Sequence, residues 1–138
     1  MLLFRGYLYP LIAFTALKIE LIEGARALWQ YGVGGTLFLI GFGLAFRITF
    51  SMGWRNAFGE KRGLQTTGWF AWSRNPIYVV TWIGLMGWAL IAKSLLVTLL
   101  LFAWALLYLL APLVEEPWLE KHYGEEYLAY KETTPRFL

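Results

Sequence analysis

The chain has 138 residues, of which 59% are hydrophobic, 19% aromatic and only 15% charged, and its net charge at pH 7 is +3. This length allows a single domain, and a domain this small cannot bury so much apolar surface in water. We therefore predict one integral membrane domain over residues 1–138, with the lipid bilayer as its main partner. The Lys and Arg residues are spread over loops and form no compact basic face, which argues against nucleic acid as a partner.

The residue types that are missing exclude several kinds of chemistry. The sequence contains no Cys and no Asp, and His122 is its only histidine. Disulfides, thiol nucleophiles and a Ser-His-Asp triad are therefore excluded, as are the usual zinc and two-metal carboxylate motifs. We expect no bound metal.

Apolar runs along the chain predict an all-α membrane fold, because a helix needs about 20 apolar residues to cross the hydrocarbon core. We predict about four transmembrane helices, at residues 2–22, 29–46, 76–92 and 94–114. Pro10 interrupts the first of these, whereas the last two are uncharged. Only Lys93 and Ser94 separate the last two, which predicts a tight antiparallel hairpin.

Two segments outside the spans have an interfacial composition. The loop at 47–75 mixes Trp and Phe with Arg and Lys, a composition typical of a membrane interface. The tail at 115–132 has a helical pattern, and its apolar face is formed by Leu119, Tyr123, Tyr127 and Tyr130. We predict a C-terminal amphipathic helix that lies against the membrane or against this loop.

The distribution of positive charge predicts the orientation of the chain. With four spans, nine of the twelve Lys and Arg residues fall on the side that holds both termini, the 47–75 loop and the tail. Cytoplasmic loops carry an excess of Lys and Arg. Both termini and the two polar segments described next are therefore predicted to be cytoplasmic.

The first polar segment is Ser73-Arg74-Asn75-Pro76-Ile77-Tyr78. Pro at the first helical position with Asn before it as N-cap predicts a helix start. Free N–H groups at such a start, together with an Arg, can receive a carboxylate or a phosphate. In the alternative interpretation, the Arg anchors to lipid headgroups and the Asn only caps the helix.

The second polar segment is Glu115-Glu116-Pro117, where the last predicted span leaves the membrane. Adjacent carboxylates repel each other unless a cation or a hydrogen-bond donor meets them, so the pair is a candidate clamp for a cationic or hydroxylated ligand. Alternatively, the pair caps a tail helix that begins at Pro117.

Five glycines lie in the second predicted span, at positions 32, 34, 35, 41 and 43. Small residues in a membrane helix usually allow another helix to approach closely, so we interpret these glycines as packing residues rather than as a nucleotide-binding loop. We expect the stretch from Gly41 to Gly43 to border a cavity.

From about residue 41 onward, the chain resembles the membrane methyltransferases, a superfamily that includes the isoprenylcysteine carboxyl methyltransferases and the phospholipid N-methyltransferases. The resemblance rests on GLQTTGWFAWSRNPIYVVTWIGLMGW and VEEPWLEKHYGEEYLAYKETTPRFL, which preserve the family's order and spacing. Asn75 stands where the carboxyl methyltransferases usually have His, and Trp69 where Tyr is common. The Asn-Pro-x-Tyr and Glu-Glu-Pro segments look closer to the phospholipid branch, whereas the Gly-Glu-Glu-Tyr tail looks closer to the isoprenylcysteine branch.

The resemblance implies an S-adenosylmethionine-dependent methyltransferase with a lipidic or hydrophobic acceptor, either an isoprenylcysteine-type carboxylate or a phospholipid amine. It assigns catalytic importance to Arg74 and Glu116. The cofactor-binding residues that it implies are Leu64, Gly68, Trp69, Arg74, Asn75, Pro76, Tyr78, Glu115, Glu116 and Tyr127.

Two other functions remain open at this point. A small non-enzymatic membrane scaffold would use Arg74 and the Glu pair as anchors and caps. A sterol-reductase-like protein that uses NADPH would share a related membrane fold, but those proteins are much longer. The sequence specifies neither the acceptor atom nor the oligomeric state.

Overall fold

A computed structural model describes residues 2–17, 27–53 and 63–138, and all regular secondary structure within these ranges is helical. The predicted all-α fold is therefore confirmed for the described part of the chain. The helices are α1 (Leu2–Leu17), α2 (Leu28–Met52), α3 (Pro76–Ala92), α4 (Leu95–Tyr123) and α5 (Glu125–Thr133). A 3₁₀ turn, Gly68–Ala71, precedes α3.

Helix lengths agree with the predicted spans to different degrees. Helix α3 has the predicted bounds, and α1 ends at Leu17 with the rest of its predicted span outside the described residues. Helix α2 continues past residue 46 to Met52 because Ile48 and Thr49 are buried in the next turn. Packing there extends a helix that the hydropathy pattern alone ended too early.

Two of the described helices have the length and composition of membrane-spanning helices. Helices α2 and α4 are long and apolar enough to cross a bilayer, whereas Leu8–Leu17 and α3 are apolar but shorter. Large side chains such as Leu99, Phe102 and Leu113 are more than half exposed on α4. An exposed apolar surface of this kind is favourable in lipid and costly in water. The count of four spans stays a prediction.

Helices α2 and α3 approach each other through glycines. A Cβ atom on Gly41 would lie 2.6 Å from the Cα of Gly84, and one on Gly34 would lie 2.8 Å from the carbonyl oxygen of Gly87. Real Cβ atoms are not found at such distances, so these positions require glycine. The packing role is thus confirmed for Gly34 and Gly41, whereas a Cβ on Gly32, Gly35 or Gly43 would meet nothing within 4 Å.

Helices α3 and α4 form the predicted hairpin. Lys93 takes a left-handed conformation at the end of α3, with φ 47° and ψ 40°. The hydroxyl of Ser94 accepts a hydrogen bond from the N–H of Val97 at 3.4 Å and so caps α4. Because the connection is this short, the start of α3 and the last turns of α4 lie at the same end of the hairpin. This pairing brings the two polar segments together.

The helix of the last predicted span does not end at residue 114. Helix α4 runs without a break through Glu115, Glu116 and Pro117 to Tyr123. The predicted helix start at Pro117 is therefore wrong. The chain turns at Gly124 instead, where φ is +54°, a conformation that glycine adopts without strain.

The tail helix α5 packs against the loop that precedes α3. Tyr127 and Tyr130 are buried, and the Tyr130 hydroxyl donates a 2.6 Å hydrogen bond to the carbonyl oxygen of Phe70. Of the two predicted surroundings of this helix, the described contacts support the loop. An interfacial location in the membrane stays a prediction.

Candidate active site

The turn that leads into α3 is held by the C-terminal end of the chain. The N–H of Asn75 donates to the Ser73 hydroxyl at 3.1 Å, and the N–H of Arg74 donates to the carbonyl oxygen of Pro135 at 2.9 Å. Asn75 occupies the N-cap position, but its side chain does not cap the helix, contrary to the sequence-based expectation. Its Nδ2 atom donates instead to the carbonyl oxygen of Arg136 at 3.0 Å.

Tyr78 connects the first turn of α3 to the first glutamate of α4. Its hydroxyl lies 2.8 Å from both carboxylate oxygens of Glu115 and donates to them. One face of its ring stacks on Tyr108, with centroids 4.7 Å apart. Tyr78 is only 3% exposed, so this contact fixes the position of the Glu115 carboxylate.

Glu116 lies between two arginines. Arg136 binds it in a bidentate manner, with Nε 2.8 Å from Oε1 and Nη2 2.7 Å from Oε2. Arg74 approaches from the other side, with Nη1 3.2 Å from Oε1. The Glu116 side chain is 6% exposed and that of Arg74 is 9% exposed. Two cations therefore share one buried carboxylate.

Arg74 has N–H groups that lack an acceptor. Among the described residues, its Nε and Nη1 atoms are buried and have no hydrogen-bond partner, since Nη1 is close to Glu116 but not aligned with it. Buried polar groups are nearly always hydrogen-bonded, and a buried donor without an acceptor costs about 1–3 kcal/mol. An anionic ligand at Arg74 would remove this cost.

The two buried tyrosines of α5 adjoin this cluster. Tyr127 is 1% exposed, and its pKa is raised by burial and by the nearby Glu116 carboxylate. Burial likewise raises the pKa of Tyr130 to about 12. Both phenols are therefore neutral at physiological pH and act as hydrogen-bonding groups rather than as anions.

The structure thus brings together six polar side chains, which we call the polar corner: Arg74, Tyr78, Glu115, Glu116, Tyr127 and Arg136. Five of these were predicted from sequence as site residues. By sequence, Arg136 was only one of the predicted cytoplasmic charges. The adjacent Glu115 and Glu116, with Arg74 as the one predicted arginine of the site, could have indicated that a second cation was missing. Its hydrogen bond to Glu116 raises the pKa of Arg136, so the guanidinium stays charged.

The other predicted site residues lie outside the polar corner. Trp69 packs against the apolar cluster formed by Ala45, Ile48, Ile77 and Val80. Pro76 is fully buried as the first residue of α3. Asn75 bonds to the backbone of Arg136, as described above. The remaining two, Leu64 and Gly68, lie earlier in the same loop, half-buried and exposed respectively.

A shallow groove is lined by residues of α1, α2, α3 and α4. Phe42, Thr49, Thr81 and Tyr108 are among its lining residues, with Tyr9 and Phe46 partly exposed at its edge. Tyr108, at its inner side, stacks on Tyr78. Through Tyr108, the groove adjoins the residues that hold Glu115. Of the stretch from Gly41 to Gly43, Phe42 is among the lining residues, but the groove is open and shallow, so a cavity beside this stretch stays a prediction.

In the described residues the chain is helical, with two helices long enough to cross a membrane and a cluster of charged side chains at the end of a helical hairpin. A family model described as phospholipid methyltransferase matches residues 29–126, and the chain belongs to that family. The match includes α2, the hairpin and both glutamates of the polar corner. Neither the curated proteins nor the solved structures gave a significant match.

Proposed function

We propose that this protein is an S-adenosylmethionine-dependent methyltransferase of the membrane, and that its acceptor is the amine of a phospholipid headgroup. Membership of the phospholipid methyltransferase family supports methyl transfer in general. The observation that carries the proposal is Arg74, a buried cation with two nitrogen atoms that lack hydrogen-bond acceptors among the described residues. A free carboxylate, such as that of the cofactor, is a suitable acceptor for them.

The residues of the polar corner fit the amino-acid part of the cofactor, which carries one carboxylate and one ammonium group. Arg74 offers buried N–H donors to the carboxylate. The Glu115 carboxylate, oriented by the Tyr78 hydroxyl, offers an acceptor to the ammonium or to ribose hydroxyls. Glu116 is already occupied by two arginines, so we assign the direct contact to Glu115 and a supporting role to Glu116.

When bound, the cofactor supplies a methyl group on a sulfonium centre. Direct transfer then requires mainly that the acceptor lone pair be aligned with the methyl carbon, which is a matter of positioning. An acyl chain of the acceptor would lie along the apolar side chains beside Tyr108, such as Phe42 and Ile77, rather than inside a preformed cavity. A lipid acceptor would in this way enter from the membrane, and the soluble cofactor from the polar end.

We also propose that both termini and the polar corner face the cytoplasm, where the cofactor is available, and that the chain crosses the membrane several times. The excess of Lys and Arg on this side supports that orientation. The two long apolar helices α2 and α4 support the membrane location.

The first test is calorimetric titration of the detergent-purified protein with S-adenosylhomocysteine, with NADPH as the control ligand. We expect saturable binding of S-adenosylhomocysteine only, and a loss of that binding in Arg74→Ala. Glu126→Ala is the control variant, since Glu126 is exposed on α5. Binding of NADPH alone would support the reductase alternative, and binding of neither ligand by the folded protein would support the scaffold.

The acceptor is tested separately in vesicles. We expect transfer of a labelled methyl group from S-adenosylmethionine to phosphatidylethanolamine. Transfer to a farnesylcysteine substrate instead would assign the isoprenylcysteine-type carboxylate, which the Gly-Glu-Glu-Tyr tail resembles.

A further inference from the structure

The last five residues of the chain form a segment, Thr134–Leu138, that lies across the start of α3. Its backbone accepts hydrogen bonds from the N–H of Arg74 at 2.9 Å and from the Asn75 side chain at 3.0 Å. The ring of Phe137 contacts that of Trp82, with centroids 5.1 Å apart. The segment is therefore attached through its backbone to the turn that carries Arg74, and through Phe137 to helix α3.

Arg136, which lies within this segment, forms an ion pair with the carboxylate of Glu116. Its Nε and Nη2 atoms bond to one oxygen each, at 2.8 and 2.7 Å, so both Glu116 oxygens are engaged. A bidentate arginine–carboxylate contact fixes the plane of the carboxylate as well as its position. Glu116 then presents Oε1 to Arg74 at 3.2 Å without a well-formed hydrogen bond to it.

We infer that Arg136 is a positioning residue for the cofactor site. It orients Glu116, and Glu116 in turn holds Arg74 in place. The Nε–H and Nη1–H of Arg74 then remain available to the ligand carboxylate. This inference rests on the proposed function. Without Arg136, Glu116 would be free to turn toward Arg74 and form a paired hydrogen bond with it, occupying the donors that the ligand needs. Arg136 acts through Glu116 and does not itself contact the ligand.

The charge count agrees with this arrangement. Arg74 and Arg136 together carry two positive charges, which balance the two negative charges of Glu115 and Glu116 in the polar corner. Loss of Arg136 would leave Arg74 alone with two glutamates, and the resulting net negative charge would repel an anion. Affinity for a carboxylate should fall for this reason also.

The experiment compares two ligands that differ in the amino-acid part. S-adenosylhomocysteine carries the carboxylate, whereas 5′-methylthioadenosine keeps the adenosine and the thioether but lacks the amino acid. In Arg136→Ala we expect the Kd for S-adenosylhomocysteine to rise about tenfold, the size of effect that loss of a hydrogen bond to a charged group produces. The Kd for 5′-methylthioadenosine should stay unchanged.

Two further variants serve as matched comparisons. Arg136→Lys retains the charge without the bidentate geometry, so we expect partial recovery of binding. Lys131→Ala removes another cation of the same tail, which pairs with Glu120 at 2.6 Å on a partly exposed surface, and should leave both affinities unchanged. A uniform loss of affinity for both ligands in Arg136→Ala would show a general structural defect and overturn the inference.

A double-mutant cycle tests whether Arg136 acts through Glu116. If it does, Glu116→Gln combined with Arg136→Ala should bind S-adenosylhomocysteine no more weakly than the weaker single variant. Additive losses would mean that Arg136 acts on the ligand independently, which contradicts a positioning role. Absence of binding in the unaltered protein would overturn the proposed function and this inference together, whereas normal binding with no effect of Arg136→Ala would overturn the inference alone.

Discussion

The α2–α3 interface and the polar corner adjoin the same helix, α3, but are held together by opposite means. At the interface, Gly41 and Gly84 bring two backbones into contact. At the polar corner, Glu116 is enclosed by two charged arginines, and Arg74 keeps buried N–H groups that have no acceptor among the described residues.

The difference shows which region serves stability and which serves binding. Close packing of small residues maximises dispersion contacts and leaves no group unsatisfied. Buried charges cost desolvation energy, and an unpaired donor adds to this cost. Such a cluster is therefore not expected to stabilise the folded state strongly. We interpret the rigid glycine interface as the support on which a costly polar site can be held.

The largest effect is expected from Glu116→Ala. This change leaves Arg74 and Arg136 close together without their carboxylate, and removing one partner of a buried ion pair costs about 3–5 kcal/mol. The measurement is the unfolding temperature of the detergent-purified protein. Glu126→Ala, on the exposed side of α5, should leave it unchanged. Equal unfolding temperatures for the two variants would contradict the burial of Glu116.

A second large effect is expected from Gly41→Ala. The added methyl group would meet the backbone of Gly84, which cannot move aside as a side chain can, so the helices must separate. Overpacking of this kind costs about 1–3 kcal/mol. Gly43→Ala is the matched control, because a Cβ there meets nothing within 4 Å and Ala favours the helix. A variant at position 41 as stable as the control would show that α2 and α3 are further apart.

The smallest effect is expected from Tyr130→Phe, which removes the hydrogen bond to Phe70 and should cost about 1 kcal/mol near neutral pH. The same variant should also change the response to alkaline pH. The folded-state pKa of Tyr130 is raised to about 12 from an ordinary value of 10.0, so the unfolded chain loses this proton first. Its contribution to stability is complete below pH 10 and is lost as the pH rises toward 12.

Unfolding temperatures measured from pH 9 to pH 12 test this second effect. The unaltered protein should lose stability over that range, and Tyr130→Phe should lose less. An identical decline in both proteins would mean that the Tyr130 phenol ionises equally well in the folded state.

Composition and local pattern determined much of this protein. The abundance of apolar residues predicted a helical membrane protein, because only helices and closed barrels satisfy the backbone in lipid. The bounds of α3 followed from its Pro76 start and its uncharged run, and the hairpin from the two-residue link after it. These features depend on neighbours in the sequence, which is why they could be predicted.

Tertiary contacts decided the rest. Helix α4 continues past Pro117 to the turn at Gly124, and Asn75 bonds to the backbone of Arg136 rather than capping its own helix. Arg136, which by sequence was one more cytoplasmic charge, lies 20 residues after Glu116 and reaches it only because α5 folds back over the loop. Pairings between distant residues carry no local signal, so the partners of the two glutamates could be identified only from the folded chain.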